Sequence, residues 1–251
     1  MTDPLVRLEI DAGVAVITLA DPDHRNALGW TLSHELADAV RAARDADVGA
    51  VVLAAEPPVF CAGGSLPDLL EPKGPLRGTY AGYLAVADIE VPTIAAVNGP
   101  CVGAGVNLPL ACDVVVCSPA ARFDPRFLDV GIAPGGGHLW RLARRVGAQG
   151  AAAMTLCGDA LDGTEAERAG LAWRCVDGDV LLSTAIGLAR RAADRPRELV
   201  VKTKAMLRET VGLPTVDEAF EAELVVQDWS MTQPEFIERV EALRARTSSS
   251  R

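Results

Sequence analysis

The sequence predicts a mixed α/β fold built around a largely parallel sheet, and three observations support this class. Apolar runs of strand length recur along the first half of the chain, and two of them lead into glycine-rich turns. Segments with helical periodicity lie between these runs, so that strand, turn and helix repeat. Hydrophobic residues make up 49% of the 251 residues, which is enough to fill the core of one large domain.

The first elements follow from periodicity. Apolar residues alternate on both sides of Asp11-Ala12-Gly13, which predicts a β-hairpin that ends at Asp21-Pro22-Asp23. Apolar residues recur at helical spacing over Thr31–Arg44, and the unbroken apolar run Ala50–Ala55 predicts a buried strand. That strand leads into the first glycine turn, Phe60–Leu66.

The middle of the chain repeats this alternation. Residues 67–79 contain three prolines and two glycines, which predicts a surface segment without regular structure. The next predicted elements are a helix at 80–89, a strand at 93–97, the second glycine turn at 98–105, a helix at 106–111 and a strand at 114–117. Parallel strands joined by such crossovers form a sheet with helices packed against it.

The last third of the chain is predicted to be mostly helical. A third glycine cluster, Gly131–Gly137, precedes a helix that begins near His138. Further helices are predicted at 149–157, 163–169, 179–193, 196–210, 216–229 and 234–246. Residues 247–251 are predicted to form a disordered tail. We therefore expect a core at 1–195 and a C-terminal helical region at 196–251 that packs on the core or on a neighbouring subunit.

Composition excludes several classes of function. The 24 basic and 34 acidic residues give a formal charge of −10, which disfavours a general affinity for nucleic acid or an anionic membrane. No apolar run approaches the roughly 18 residues of a membrane span, and no signal-peptide pattern occurs, so we expect a cytoplasmic protein. The six cysteines lack metal-ligand spacing, which favours buried thiols over disulfides or a metal site.

The two glycine turns predict a binding site for a developing negative charge. Glycines just past a buried strand let the backbone approach a ligand, and the first N–H groups of a helix have no partner of their own. Two such turns side by side can direct two amide donors at one oxygen, which is the arrangement of an oxyanion hole. The segment Gly103–Leu108 lacks the third glycine of a dinucleotide-binding fingerprint, so a Rossmann site is not expected.

Several motifs occur together in a fixed order along the chain. They are Arg25-Asn26-Ala27-Leu28, Cys61–Leu66, Asn98–Gly105, Ala111-Cys112-Asp113, Pro134–Gly137 and Gly170-Leu171-Ala172. In order and spacing they resemble the crotonase family, also called the enoyl-CoA hydratase/isomerase superfamily. The resemblance covers nearly the whole chain and implies a crotonase (ClpP/crotonase-like) fold of repeated ββα units with a C-terminal helical region. It also implies a homotrimer or dimer of trimers.

The same resemblance implies the ligand and the residues that hold it. The ligand is an acyl-CoA thioester, with coenzyme A as part of the substrate and neither a further cofactor nor a metal. The backbone N–H groups of Ala62 and Ala104 are the implied oxyanion donors. The implied substrate-binding residues are Arg25, Ala27, Gly64, Ser65, Leu66, Gly103, Asn107 and Phe127. Ser65 replaces an aspartate that is common at its place.

Two of these residues depart from the family pattern. Classical hydratases carry two glutamates that position and deprotonate water, and here Asn107 and Phe127 occupy those places. Neither side chain exchanges a proton near neutral pH, so the acid/base pair for adding water is missing. Asp129 is a tentative replacement, because two residues after Phe127 it shares that residue's face if the segment is extended. The alternative is that Asp129 caps a turn or pairs with Arg126.

Two hypotheses of function therefore remain open. In the first, an enzyme holds an acyl-CoA in the oxyanion hole and stabilises its enolate, as isomerase, decarboxylase or other lyase chemistry requires. In the second, the chain is a catalytically silent acyl-CoA carrier or regulatory protein in which Phe127 fills the former water site. His138, at a predicted helix start, is interpreted as a structural or capping residue under both.

Overall fold

In a computed structural model, which describes residues 3–249, the chain forms two compact units. They are Met1–Ala193 and Asp194–Arg251. The division falls two residues before the boundary expected from the sequence. All the motifs that carry the family resemblance lie in the first unit.

A six-stranded sheet forms the centre of the first unit. Its strands, in spatial order, are β1 (Val6–Asp11), β2 (Val14–Leu19), β3 (Ala50–Ala55), β4 (Thr93–Val97), β6 (Val114–Cys117) and β9 (Arg174–Cys175). The β1–β2 pair is the predicted hairpin and is antiparallel, whereas the remaining neighbours are parallel. Every residue of β4 is buried, as expected for a strand with helices or loops on both faces. The strands predicted at 50–55, 93–97 and 114–117 are confirmed.

A second, smaller sheet was not predicted from the sequence. It contains β5 (Pro100–Val102), β7 (Arg122–Asp124) and β8 (Leu161–Asp162), with β5 parallel to β7 and β7 antiparallel to β8. These strands have only two or three residues each, too few to show an alternating pattern. Because β5 lies inside the second glycine turn, this sheet fixes the backbone of that turn.

Helices cover the large sheet. Those of the first unit are α1 (Trp30–Asp45), α2 (Leu66–Leu70), α3 (Ala81–Ala87), α4 (Asn107–Ala111), α5 (His138–Leu156), α6 (Gly163–Arg168) and α7 (Gly178–Ala193). Helix α7 packs Leu181, Ala185 and Ala189 into the same buried cluster as the strand residues Val52 and Ile94. Gly147 interrupts α5 with φ 73° and ψ 170°, so α5 consists of two helical pieces.

The segment 67–79 is more ordered than predicted. The Ser65 hydroxyl accepts a hydrogen bond from the N–H of Asp68 and starts α2, and Leu76–Tyr80 forms a 3₁₀ turn. The Trp30 indole lies against both Gly74 and Gly78, where a Cβ on either glycine would overlap the ring. The prediction of an irregular segment is therefore wrong, because capping and contact with the indole outweigh the turn-forming composition.

The second unit is helical, as predicted. It contains α8 (Arg197–Thr210), α9 (Val216–Met231) and α10 (Pro234–Ser249). The Lys202 ammonium on α8 lies 4.6 Å from the centre of the Trp229 ring on α9. Helix α10 continues through residues 247–249, which corrects the prediction of a disordered tail there. Residues 250–251 of that predicted tail lie outside the described residues.

The cysteines are free thiols in the described part of the chain, and their burial differs. Cys61, Cys101, Cys112 and Cys117 are buried as predicted, whereas Cys157 is exposed and Cys175 is half-buried. Burial raises the pKa of the Cys61 thiol to about 12, so this side chain packs as a neutral group. Among the described helices, none has the length and apolarity that crossing a bilayer requires.

Candidate active site

The two glycine turns lie side by side, as the sequence suggested. The N–H of Val102 donates to the carbonyl oxygen of Cys61 at 2.9 Å, and Cys61 pairs with Cys101 in a parallel bridge. A Cβ on Gly63 would lie 2.7 Å from the Val102 oxygen, and one on Gly105 would lie 2.6 Å from the Cys61 oxygen. Only glycine therefore lets the two turns approach this closely.

The structure corrects the first of the two predicted oxyanion donors. The N–H of Ala62 donates to the carbonyl oxygen of Arg25 at 3.0 Å, so it is already used within the protein. The prediction that Ala62 supplies a donor is wrong for this reason. The hydrogen bond holds the Arg25–Leu28 segment against the first glycine turn.

Among the described residues, the N–H of Gly64 has no acceptor, unlike that of Ala62. Leu28 donates to the oxygen of Gly63 at 2.7 Å and accepts from the N–H of Ser65 at 3.1 Å. Because successive amides of an extended segment point to opposite sides, the N–H of Gly64 between them points away from Leu28. Among residues 3–249, no hydrogen bond uses this N–H.

The predicted donor on the second turn keeps a free N–H as well. Ala104 is the second residue of the 3₁₀ turn Gly103–Val106, where an N–H has no acceptor within the turn. A Cβ on Gly63 would lie 3.7 Å from this nitrogen, so it is next to the first turn. Ala104 and Gly64 are both half-buried. Both free N–H groups thus belong to half-buried residues next to the contact between the two turns.

The residues predicted to bind the rest of the substrate lie next to this place. The bridge between Leu28 and Gly64 brings the segment that carries Arg25 and Ala27 beside the first turn. Arg25 has φ 56° and an exposed side chain, and the next residue, Asn26, is buried and donates to two carbonyl oxygens, at 2.8 and 2.9 Å. The remaining predicted residues of the two turns, Ser65, Leu66 and Gly103, follow directly along the backbone of those turns.

Asn107 and Phe127 meet around a third side chain, that of His138. Asn107 is buried, and its amide nitrogen donates to the Gly135 oxygen at 3.2 Å. Its amide oxygen lies 2.8 Å from Nδ1 of His138. The centre of the Phe127 ring is 5.0 Å from the centre of the imidazole, with the rings inclined by 65°. The side chains of Asn107 and Phe127 therefore both contact one imidazole.

His138 is the first residue of α5 and does not cap it, because the N-cap is Gly137; a structural role stays a prediction. Its side chain is 1% exposed, and Nε2 is one of three buried side-chain atoms without a hydrogen-bond partner in the described residues. Burial lowers the pKa of His138 to about 4, because the charged imidazolium is less well solvated there than in water. The imidazole is therefore neutral at pH 7.

Two tyrosines form another wall beside these residues. A Cβ on Gly136 would lie 3.0 Å from both the Asn107 amide nitrogen and the Tyr80 ring. Burial raises the pKa of Tyr80, so its hydroxyl is neutral and can act as a hydrogen-bond donor. The hydroxyl oxygen of Tyr83 accepts a hydrogen bond from Nε of Arg141 at 2.7 Å.

Asp129 does not lie on the same side as Phe127. The segment Leu128–Val130 is a 3₁₀ turn rather than an extended strand, so the face shared at a two-residue offset does not exist. Asp129 is exposed, whereas Phe127 is 4% exposed. The tentative acid/base assignment of Asp129 is wrong for this reason. Its charge instead raises the pKa of Arg126, after larger contributions from Asp124, in line with the alternative of a neighbouring arginine.

The comparisons with known proteins agree with this geometry. Residues 9–243 match the model of the enoyl-CoA hydratase/isomerase family. The chain belongs to this family. It is 43% identical to "Probable enoyl-CoA hydratase EchA14" of Mycobacterium tuberculosis, over 97% of this chain and 98% of that protein. It is also 33% identical to 4-chlorobenzoyl coenzyme A dehalogenase-1 of an Arthrobacter species, over 98% of this chain and 92% of the other.

Solved structures confirm the crotonase fold. One from Magnetospirillum magneticum AMB-1 superposes with a TM-score of 0.89 at 31% identity, covering 98% of this chain and 97% of that one. Because enoyl-CoA hydratase/isomerase family members share this fold, the predicted α/β class with a C-terminal helical region is confirmed.

Sequence reasoning missed Tyr80 and gave Gly64 and His138 other roles. Gly64 was expected to bind substrate but not to donate at the oxyanion hole, and no spacing rule shows which amide is used internally. Tyr80 and His138 reach the site only through the fold. The available signal for His138 was a histidine directly after three glycines, Gly135–Gly137, where side chains are few.

Proposed function

We propose that this member of the enoyl-CoA hydratase/isomerase family binds an acyl-CoA thioester and stabilises its enolate. The thioester oxygen accepts hydrogen bonds from the N–H groups of Gly64 and Ala104. The observation that carries the proposal is that both N–H groups lie next to the contact between the two glycine turns without an internal acceptor. Fixed dipoles aimed at a developing oxyanion need no reorganisation during the reaction, which is why such donors accelerate enolate formation.

The remaining substrate contacts follow from the backbone around the first turn. The exposed Arg25 provides a positive charge for a phosphate of the nucleotide, and the segment at Ala27 runs beside Gly64 for main-chain contacts. Leu66, the last residue of the first glycine turn, is 65% exposed and offers apolar surface to the substrate. For the assembly we propose a homotrimer or dimer of trimers, and for the location the cytoplasm.

The side chains present favour reactions other than rapid hydration. Asn107 and Phe127 provide no carboxylate to activate water, and positioned acid/base groups typically contribute about 10²–10⁴-fold to a rate. Loss of CO₂ from a malonyl-type thioester forms the enolate without a base, and a double-bond shift requires one proton carrier. We expect hydration of crotonyl-CoA to turn over below about 1 s⁻¹, the lower end of the usual enzyme range.

The carrier hypothesis differs in one measurable respect. Phe127 is buried and offers apolar contact to an acyl chain, worth roughly 25 cal/mol per Å² buried, and this supports binding with or without catalysis. A carrier needs affinity for the ligand but no polarisation of the thioester. An oxyanion hole weakens the C=O bond of its ligand and lowers the carbonyl stretching frequency.

The test combines calorimetry with isotope-edited infrared spectroscopy on hexanoyl-CoA labelled with ¹³C at the carbonyl. We expect binding with a lowered carbonyl frequency. Ala104→Pro removes one donor at a helix start, where proline is tolerated, and should reverse part of the shift and slow decarboxylation of malonyl-CoA by about 10²–10³-fold. Ala104→Ser keeps the N–H and serves as the matched control. Binding without a shift would support the carrier, and absence of binding would overturn the proposal.

A further inference from the structure

The hydrogen bonds around Asn107 fix the tautomer of His138. The Asn107 amide nitrogen donates to the Gly135 oxygen, so the amide oxygen is the atom that faces the imidazole. That oxygen can only accept, and Nδ1 of His138 must therefore carry the ring proton. Nε2 consequently presents a lone pair. Asn107 thus sets which end of the imidazole is basic.

The lone pair on Nε2 has no structural use. It is buried and makes no hydrogen bond to any other described residue, and an unsatisfied buried acceptor destabilises the folded state. An apolar side chain at position 138 would fill the space without this cost. Buried polar atoms without partners in a native structure call for an explanation such as a catalytic role.

His138 contacts two residues of the proposed site and is linked through Asn107 to the second glycine turn. Asn107 follows Ala104 by three residues along one helical segment, so the two lie on the same face, one turn apart. The imidazole contacts the Asn107 side chain on one side and the Phe127 ring on the other. These are the two positions that hold the catalytic carboxylates in classical hydratases.

We propose that His138 is the proton acceptor of this active site, through Nε2, and that Asn107 is its positioning residue. The inference rests on the proposed function. A C–H bond next to the thioester carbonyl breaks, its proton bonds to Nε2, and its electron pair moves onto the oxygen held by Gly64 and Ala104. The resulting imidazolium donates through Nδ1 to Asn107 and returns the proton to carbon, at the same position or at a conjugated one.

The basicity of the imidazole suits this role. The pKa of about 4 is close to that of an ordinary glutamate side chain, about 4.3, so the imidazole is a base of similar strength. The titratable groups on the neighbouring elements are Tyr80, and Tyr83 with Arg141 bound to its hydroxyl. Burial, rather than any of these charges, causes the shift.

Exchange of the C2 protons of butyryl-CoA in D₂O, followed by proton NMR with the full chain, tests the proposal. We expect wild-type protein to catalyse exchange and His138→Gln to lose it by about 10²–10⁴-fold, with butyryl-CoA affinity changed less than about threefold. His34→Gln is the matched control, because His34 contacts Trp30 on α1 and none of the site residues. Exchange by His138→Gln at the wild-type rate would overturn the proposal.

A second variant separates a catalytic from a structural role. Asn107→Asp places a carboxylate on Nδ1, which stabilises the imidazolium, so the acid limb of the exchange profile should move upward from about pH 4 by at least about one unit. An acid limb that stays at the wild-type pH would overturn the inference. If His138→Gln does not fold, the Asn107→Asp variant alone provides the test. Wild-type protein that binds butyryl-CoA without exchange would overturn the inference alone. Absence of binding would overturn the proposed function and this inference with it.

Discussion

The proposed oxyanion corner and the proposed proton-handling corner of this site are built differently. The first consists of backbone: the N–H groups of Gly64 and Ala104 are held by hydrogen bonds between glycine turns. The second consists of the side chains Asn107, Phe127 and His138. The backbone arrangement requires glycine where the two turns touch, at Gly63 and Gly105. The second depends on the chemistry of individual side chains, each of which one substitution can replace.

The two corners also contribute differently to stability. Other amides of the turns are used in hydrogen bonds such as Ala62 to Arg25 and Val102 to Cys61. The proton-handling corner contains a buried nitrogen with no partner among residues 3–249. These hydrogen bonds stabilise the fold, whereas the unpaired nitrogen of the second corner lowers its stability.

The largest expected effect comes from breaking the contact between the turns. Gly63 has φ 96°, and Gly63→Ala would place a Cβ 2.7 Å from the Val102 oxygen. Left-handed strain and overpacking together should lower the free energy of unfolding by about 3–5 kcal/mol and abolish acyl-CoA binding. Urea unfolding and calorimetry measure both.

Gly158→Ala is the matched control for that substitution. Gly158 has φ 71° and open space around its Cβ position, so it reports left-handed strain alone, at about 1–2 kcal/mol. Equal losses in the two variants would show that the contact between the turns does not depend on a glycine at position 63.

The next effect concerns pH and the second corner. The pKa of His138 is about 4 in the folded protein and about 6.5 in the unfolded chain, so the unfolded chain binds more protons between these values. The neutral imidazole makes its full contribution to the free energy of unfolding above pH 6.5. That free energy falls by about 3 kcal/mol as the pH drops toward 4. The difference in unfolding free energy between wild type and His138→Gln, measured from pH 7 to 4, should show this loss. A constant difference would mean that His138 titrates normally.

The smallest effect is expected at the rim of the first corner. Ser65 caps α2 through a hydrogen bond from the Asp68 N–H that is 3.4 Å long. Ser65→Ala should cost about 0.5 kcal/mol, the low end for a lost cap, because the bond is long. Chemical denaturation measures this value, and a loss above about 2 kcal/mol would show that the hydroxyl supports the turn itself.

Much of the fold could be predicted because its signals are local. The strand Ala50–Ala55 and the helix at Thr31–Arg44 carry their periodicity within a few residues, and the structure has both. The short strands β5, β7 and β8 carry no such signal, since pairing with distant residues defines them.

The site was predictable only as far as its motifs. Spacing located both glycine turns, but the choice between Ala62 and Gly64 depends on the acceptor at Arg25, which is 37 residues before Ala62 in the chain. Asp129 was misplaced because its segment curls into a 3₁₀ turn. His138 gains its significance from Asn107, 31 residues earlier, and no local pattern reports that contact.

The indole of Trp30 is a natural fluorescent probe of the segment that contains Gly74 and Gly78. Its ring touches both Gly74 and Gly78, and Tyr80 of the site ends the same 3₁₀ turn as Gly78. Because the ring contacts both glycines, a movement of this segment away from α1 would change the surroundings of the indole. The fluorescence of Trp30 would therefore report movements of the 3₁₀ turn that ends at Tyr80.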